Sequence, residues 1–422
     1  MRAGLVDAED WRRRLAMLTS AVVIGILATL FAWAANAAQR DFAAFATRER
    51  YVPLVLTPLL FLMIAAVTRS FAPASRGSGI PQVIAASRDP GGETTAGLLS
   101  IRTAFAKLAL SIAALLGGAS VGREGPTVQV ASAAMTQVHR LFRVRVTPGV
   151  LIAGGAAGVA GAFNTPLAGI AFAIEELASA YEQRVAVLVM GAVMIAGLTS
   201  QGIAGEYLYF GQMTAALPLR VVLVAAPLAG LVGGLCGGLF SRAFLILRGP
   251  SGRWSPLLRK RPLLTALLCG LIVAGIGVAV GGSTWGTGYA PTRQLLEGAH
   301  GGYAFGPAKF FAVLATSVSG MPGGIFSPSL AVGAGIGNLL TPLFRGEQSG
   351  AIVLLGMAGY FVGVVRAPLT GVIILSETTG TTSAILPLFV ACLIGDWAGS
   401  LVCRERLYHA LSRDFTATSL PD

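Results

Sequence analysis

The sequence predicts an all-α polytopic membrane protein, and three observations carry that prediction. Charged side chains are scarce: 31 Lys and Arg and 19 Asp and Glu in 422 residues, 12% of the chain, against about 25% in soluble domains. Hydrophobic residues make up 54% and mean hydropathy is +0.73, so too few polar residues remain to clothe a water-facing surface. Apolar runs long enough to cross a bilayer alternate with short polar stretches that hold the arginines. This composition excludes a soluble enzyme, a disordered chain and a disulfide-stapled scaffold. Glycine, at 55 residues, is near twice its usual share, which suits helices that approach closely in lipid.

The net charge of +12 does not mark a nucleic-acid surface, because no single amphipathic segment gathers the cations. They fall between apolar runs at Arg12 to Arg14, Arg69 and Arg76, Arg140 to Arg145, Arg253 to Arg261, and Arg404 to Arg413, as loop charge that sets membrane orientation. The stretch Arg253 to Arg261 reads as a cytoplasmic loop against anionic lipid. Cys236, Cys269, Cys392 and Cys403 and the three histidines show no metal-ligand spacing, so the thiols read as buried apolar groups. No metal, cofactor or catalytic cluster is implied, and the reading is of a non-enzyme.

Along the chain, Leu15 to Ala38 follows the arginines as a first span starting in the cytoplasm. Its 24 uncharged residues exceed a signal-peptide core and suffice to cross a bilayer. Tyr51 to Thr68, Val185 to Gly205, Val221 to Ser241 and Leu263 onward read as further simple spans. Other runs are interrupted. Leu108 to Gly122 is only 15 residues and ends in Arg123-Glu124. Val146 to Ile174 is broken by Asn164-Thr165-Pro166, and Phe310 to Phe344 by Met321-Pro322-Gly323-Gly324 and Ser327-Pro328. Short or Gly/Pro-interrupted runs are the mark of discontinuous helices around a central site.

An internal repeat accompanies them. Sliding the chain by 202 residues pairs Gly122 with Gly324, Pro126 with Pro328, and Leu141-Phe142-Arg143 with Leu343-Phe344-Arg345. The same offset pairs Gly154 with Gly356, Pro166-Leu167 with Pro368-Leu369, Gly169 with Gly371 and Glu175 with Glu377: 13 identities in 55 positions, where chance gives about five. The expected division is a cytoplasmic segment 1–14, a first membrane repeat 15–210, a second 211–403 and a short cytoplasmic segment 404–422, with substrate bound where the repeats meet.

Three Gly/Pro-flanked segments are the candidate site: Gly77-Ser78-Gly79-Ile80-Pro81, Gly122-Arg123-Glu124-Gly125-Pro126 and Gly324-Ile325-Phe326-Ser327-Pro328. Each can end one helix and start another, Pro being tolerated in a first turn. A helix start offers free N–H groups and about half a positive charge. Several such starts converging would replace an anion's hydration shell without the over-tight grip of a buried cation. No phosphate-binding loop is present.

These three segments, with Phe163-Asn164-Thr165-Pro166-Leu167-Ala168-Gly169 and Arg366-Ala367-Pro368-Leu369-Thr370-Gly371, resemble the signature motifs of the CLC chloride channel and transporter family in order and spacing, over nearly the whole chain. The resemblance implies an inverted-repeat CLC-type fold of many tilted helices and a homodimer with one pore per subunit. It implies chloride and protons as substrates, membrane lipid as surroundings, and a multi-pass place in the cell (inner) membrane. The absence of sequence after Asp422 is expected to mean no nucleotide-binding regulatory domain.

Carried over residue by residue, Ser78 resembles the hydroxyl that coordinates the central chloride, as Ser rather than the Pro of nitrate-favouring members. Ile325 and Phe326 resemble the pair whose backbone N–H groups line that site. Tyr408 resembles the tyrosine that closes it from the cytoplasm, although a lone aromatic there also fits an interface anchor. Glu124 matches the gating glutamate and external proton acceptor. Ionised, it can occupy an anion site; protonated, it is neutral and can swing away. An ion pair of Glu124 with Arg123 is disfavoured because adjacent helical residues point to different faces.

Glu175 is matched by Glu377 and reads as structural in both halves. Glu176 is matched by Thr378, and that asymmetry points to function. The resemblance puts the internal proton-transfer acid at Glu176. Lys107 resembles a buried family lysine of electrostatic or packing role. Gln82 replaces a common acid. The expected function is Cl−/H+ antiport; a passive channel of the same fold is the alternative, disfavoured because channels generally lack an acid at the place of Glu176. A fluoride exchanger is disfavoured by Ser78 and Pro126.

Overall fold

A computed structural model describes residues 8–177, 183–213, 217–299, 301–344 and 348–415. Arg345 of the repeat, and the outer parts of both terminal segments, lie outside the described residues. The first half runs α1 (Ala8–Arg48), α2 (Pro53–Phe71), α3 (Ile80–Arg88), α4 (Glu93–Leu98), α5 (Ile101–Leu116), α6 (Glu124–Leu141), α7 (Pro148–Phe163), α8 (Pro166–Phe172) and α9 (Gln183–Ala204). The second runs α10 (Leu219–Arg248), α11 (Ser255–Lys260), α12 (Pro262–Ala279), α13 (Tyr289–Leu296), α14 (Phe305–Ser319), α15 (Phe326–Leu340), α16 (Ser349–Val365), α17 (Pro368–Thr379) and α18 (Ile385–Val402), and a short α19 (Leu407–Ser412) follows. Among the described residues, β geometry is confined to two single bridges, Gly77 with Pro322 and Gly122 with Gly324.

The helices sort by what they face. α1, α2, α9, α10, α12 and α18 are long and apolar enough to cross a membrane, and only a third to a half of each apolar window is buried. Their remaining faces expose large apolar side chains, as a surface outside water requires. α7 and α16 are short, apolar and buried from Gly149 to Phe163 and from Gly350 to Val365, so they form the interior. A 41-residue α1 is about 60 Å long, twice the hydrocarbon thickness; the expected span Leu15 to Ala38 is its middle, and the helix continues to Arg48.

Glycine sets how closely the second half packs. Gly230, Gly233, Gly234, Gly237 and Gly238 line α10 on the side that meets α16 and α18. A Cβ on Gly233 would lie 2.5 Å from Tyr360 N, and one on Gly237 2.6 Å from Tyr360 O, so backbone touches backbone there.

The breaks fall where the interrupted runs predict. α7 is capped by Thr147, whose side chain accepts from Val150 N, has Pro148 in its first turn, and ends at Asn164 in the left-handed region (φ 60°). Pro166 then starts α8. At the 202-residue offset, α16 ends at left-handed Arg366 (φ 66°) and Pro368 starts α17. Helix starts coincide at Glu124 and Phe326. The two halves run oppositely. α6 leads toward the start of α1, where His139 Nδ1 is 3.5 Å from Ser20 Oγ. α15 leads toward Gly301, beyond α13, whose preceding Thr287 meets Gln39 late in α1. The chain is an all-α, inverted-repeat membrane protein.

Candidate functional site

The three Gly/Pro segments meet. Gly77 N donates to Met321 O (3.2 Å) and Gly323 N to Gly77 O (3.1 Å), while Gly122 and Gly324 exchange bonds of 2.7 and 2.8 Å. Gly77 (φ +68°) and Gly79 (φ +115°) hold backbone that a side chain would strain. At Gly125 an added Cβ would stand 2.8 Å from Ser78 O and 3.2 Å from Gly324 Cα. The starts of α3, α6 and α15 therefore point at one small volume, each with first-turn N–H groups that the helix itself leaves unpaired.

Ser78, Ile325 and Tyr408 line one cavity of about 90 Å³, which opens past Met321 toward Arg76, Arg248, Arg259 and Asp414. Ser78 Oγ and the Tyr408 hydroxyl are buried beside each other and have no other hydrogen-bonding partner among the described residues. Tyr408 is 0% exposed, which removes the interface-anchor alternative. Phe326 does not line the cavity. Its ring packs against Phe361, Phe163 and Phe172 at centroid distances of 4.5, 5.4 and 5.9 Å, leaving its main chain as the part available at the helix start. Gln82 clamps the Ser78 loop: Oε1 accepts from Gly79 N (3.0 Å) and Nε2 donates to Arg76 O (2.6 Å). An acid could accept but not donate there, so the loop is tied by both functions of a neutral amide.

Glu124 is buried and reaches across the repeat boundary. Its Oε1 accepts from Ser327 Oγ (2.6 Å) and its Oε2 from Ser327 N (3.4 Å). The acid thus rests on the start of α15, where an anion is favoured. Arg123 turns away from it: Nη1 donates to Ala32 O (2.8 Å) and Asn36 Oδ1 (3.0 Å), and the guanidinium lies 5.7 Å from the Tyr209 ring centroid.

The paired acids separate into two environments. Glu175 accepts from Leu369 N (2.9 Å), Thr370 N (2.7 Å) and Thr370 Oγ1 (2.8 Å), capping α17. Glu377 accepts from Leu167 N (3.1 Å) and Ala168 N (2.8 Å), capping α8. These contacts superpose under the 202-residue offset, each half capping a helix of the other. Glu176 has no such partner. A π-helical turn, Ala173–Leu177, adds a residue to the register and sends its side chain inward, where it is 0% exposed and neither oxygen is hydrogen-bonded. His409 Nε2 is 3.8 Å from Glu176 Oε1.

Four contributors escaped sequence reasoning. Ser327, inside the third motif, binds the Glu124 carboxylate. His409, next to Tyr408, faces Glu176. Lys309 is the repeat counterpart of Lys107, and the offset already in hand would have found it. Lys107 Nζ donates to Ser75 O (2.8 Å) and Gly77 O (2.6 Å), and Lys309 Nζ to Ser120 Oγ (2.7 Å), Thr284 O (2.9 Å) and Gly286 O (2.7 Å). Each buried amine holds a glycine loop.

The loop held by Lys309 leads to the fourth contributor. Gly286-Thr287-Gly288 has left-handed glycines (φ +64° and +82°), as Gly77-Ser78-Gly79 does, and it precedes α13 as the other precedes α3. There Gln39 Oε1 accepts from both Thr287 N and Thr287 Oγ1 at 3.0 Å. Ser78 Oγ has no such amide acceptor, whereas the corresponding loop of the other half is filled by Gln39.

A family model described as voltage gated chloride channel matches residues 60–400. The chain is 30% identical over 438 residues to the H(+)/Cl(-) exchange transporter ClcA of Yersinia pestis bv. Antiqua (strain Angola), covering 94% of this chain and 87% of that one. It is 30% identical over 405 residues to ClcA of Vibrio cholerae serotype O1 (strain M66-2), with coverage of 88% and 83%. Among solved structures, a slow cyanobacterial Cl−/H+ antiporter superposes with a TM-score of 0.80 at 22% identity, over 95% of this chain and 97% of that one. A CLC-type fluoride/proton antiporter gives 0.77 at 21%, over 94% and 96%. These last two likenesses speak for the fold alone.

Proposed function

The chain belongs to the voltage gated chloride channel family and is a multi-pass inner-membrane protein; from that premise we propose that it is a Cl−/H+ antiporter, a transporter and not an enzyme. Chloride enters from the cytoplasm along the cavity past Arg76 and Arg248 and binds between the Ser78 and Tyr408 hydroxyls and the backbone N–H groups of Ile325 and Phe326. Neutral hydroxyl and amide donors hold the ion without a full cation, so it can also leave. Glu124, ionised and bound to Ser327, stops the pore on its outer side. On protonation it loses its charge-assisted bond and swings out, letting chloride pass and carrying the proton.

The observation that carries coupling is Glu176. It is an acid buried beside the inner end of the same pore, unpaired, while its sequence neighbour Glu175 is spent on a helix cap. A purely structural acid at this place would be hydrogen-bonded. Glu176 takes protons from the cytoplasm and passes them toward Glu124 by a route separate from chloride. The functional unit is a homodimer with one pore per subunit, needing no cofactor.

The test is proton movement in liposomes carrying the purified protein under an imposed chloride gradient, with a proton ionophore as control. Proton uptake against its own gradient, lost in Glu176→Gln while chloride flux continues, is the expected result. Chloride flux with no proton movement in the unchanged protein would leave a passive channel instead.

A further inference from the structure

Glu176 is sealed from bulk water, so a proton needs a carrier to reach it. One titratable side chain stands at the right place. His409 Nε2 is 3.8 Å from Glu176 Oε1, and its ring is 28% exposed where the acid is 0% exposed. The helix that carries it explains the position. On α19, consecutive side chains diverge by about 100°, so Tyr408 lines the chloride cavity while the next residue faces the acid. A single turn of helix therefore touches both ion routes.

We infer that His409 is the cytoplasmic proton relay that loads Glu176. This rests on the reading of Glu176 as the internal proton-transfer group. In the step, the imidazolium Nε2–H bond breaks and an O–H bond forms at Glu176 Oε1. A cation and a carboxylate become a neutral imidazole and a neutral acid, and the ring recharges from cytoplasmic water. The gap exceeds hydrogen-bond reach by about 1 Å, which a small ring movement or one bridging water closes.

The charged groups around the ring suit a carrier more than a resting place. Glu176 and Glu175 supply negative charge from the π-helical turn. Arg88 at the end of α3, with Arg406 and Arg413 on either side of α19, supplies positive charge. Arg406 Nη1 donates to Glu175 O (3.0 Å) and Arg413 pairs with Glu405 (3.0 Å). Burial first, and then the Arg406 and Arg88 guanidiniums, hold the imidazole below its usual value, against a hydrogen bond to the Glu176 main chain that favours the proton. A proton captured there is handed on instead of kept.

The experiment compares chloride-driven proton uptake, as a function of pH, in liposomes holding the unchanged protein, Glu176→Gln, His409→Gln or His409→Glu. His409→Gln is expected to lower uptake at least tenfold. His409→Glu, which still titrates, is expected to restore it with a profile displaced to lower pH, a result that a merely structural histidine would not give. Undiminished uptake in His409→Gln, beside loss in Glu176→Gln, overturns the relay and leaves Glu176 in its role. A loss that His409→Glu fails to restore also overturns the relay. Persistent uptake in Glu176→Gln overturns both readings together.

Discussion

Replacing Ser327 by Ala should speed chloride turnover, and the size of the effect follows from one contact. Ser327 Oγ donates to Glu124 Oε1 at 2.6 Å in a buried site. A hydrogen bond to an ionised acceptor contributes about 1.5–3 kcal/mol. The longer bond from Ser327 N at 3.4 Å survives the change, so the loss is confined to the hydroxyl. Every 1.4 kcal/mol is about tenfold, so the equilibrium between seated and released Glu124 should move about 10- to 100-fold toward release. Where release of the gate limits transport, turnover rises by up to that factor. Ser327→Thr keeps the hydroxyl and should stay near the original rate. The assay is chloride efflux from liposomes followed by a chloride electrode, normalised to protein incorporated, with proton uptake recorded in parallel. An efflux rate in Ser327→Ala equal to or below that of the unchanged protein would refute the argument that this hydroxyl holds the gate shut.

Other expectations rest on different contacts. Lys309→Met should leave Gly286 O without its donor, while Thr284 O keeps the bond from Ser120 Oγ, and with about 1–3 kcal/mol for a buried group left unsatisfied the protein should melt below the unchanged form in detergent; an equal melting temperature would remove Lys309 from the loop's support. Glu175→Gln and Glu377→Gln should each destabilise by about 1–3 kcal/mol and to similar extents, because each caps a helix of the opposite half; a thermal melt showing only one affected would break the symmetry argument. Gly125→Ala should abolish chloride binding by calorimetry, since the new Cβ would press within 2.8 Å of Ser78 O and force the three loops apart. Chloride heats like those of the unchanged protein would show that the loops yield without harm to the site.

Much of this architecture is legible in the chain itself. Composition settles the solvent, because a charge-poor sequence cannot clothe itself in water. Pro and Gly settle the breaks, because they remove a donor or permit a left-handed turn at the residue where they stand; Asn164 and Arg366 end their helices ahead of Pro166 and Pro368 as local chemistry requires. The repeat even distinguished Glu175 from Glu176, since a residue that recurs in both halves and one that does not answer to different constraints.

What the chain could not reveal are the contacts between its distant parts. Glu124 meets Ser327, Lys309 meets Thr284 and Gly286 across a loop, and Gln39 fills Thr287 while Ser78 in the other half has no such acceptor. None of these follows from periodicity, propensity or a motif, because each depends on which helix starts the fold brings to the same point. The π-helical turn at Ala173–Leu177 shows the same limit on a local scale: within it one acid caps a distant helix and the next is buried without a hydrogen bond. Sequence determined the parts and where the helices break. Tertiary structure decided which free donors face each other, since that is a matter of distance in space between residues far apart in the chain.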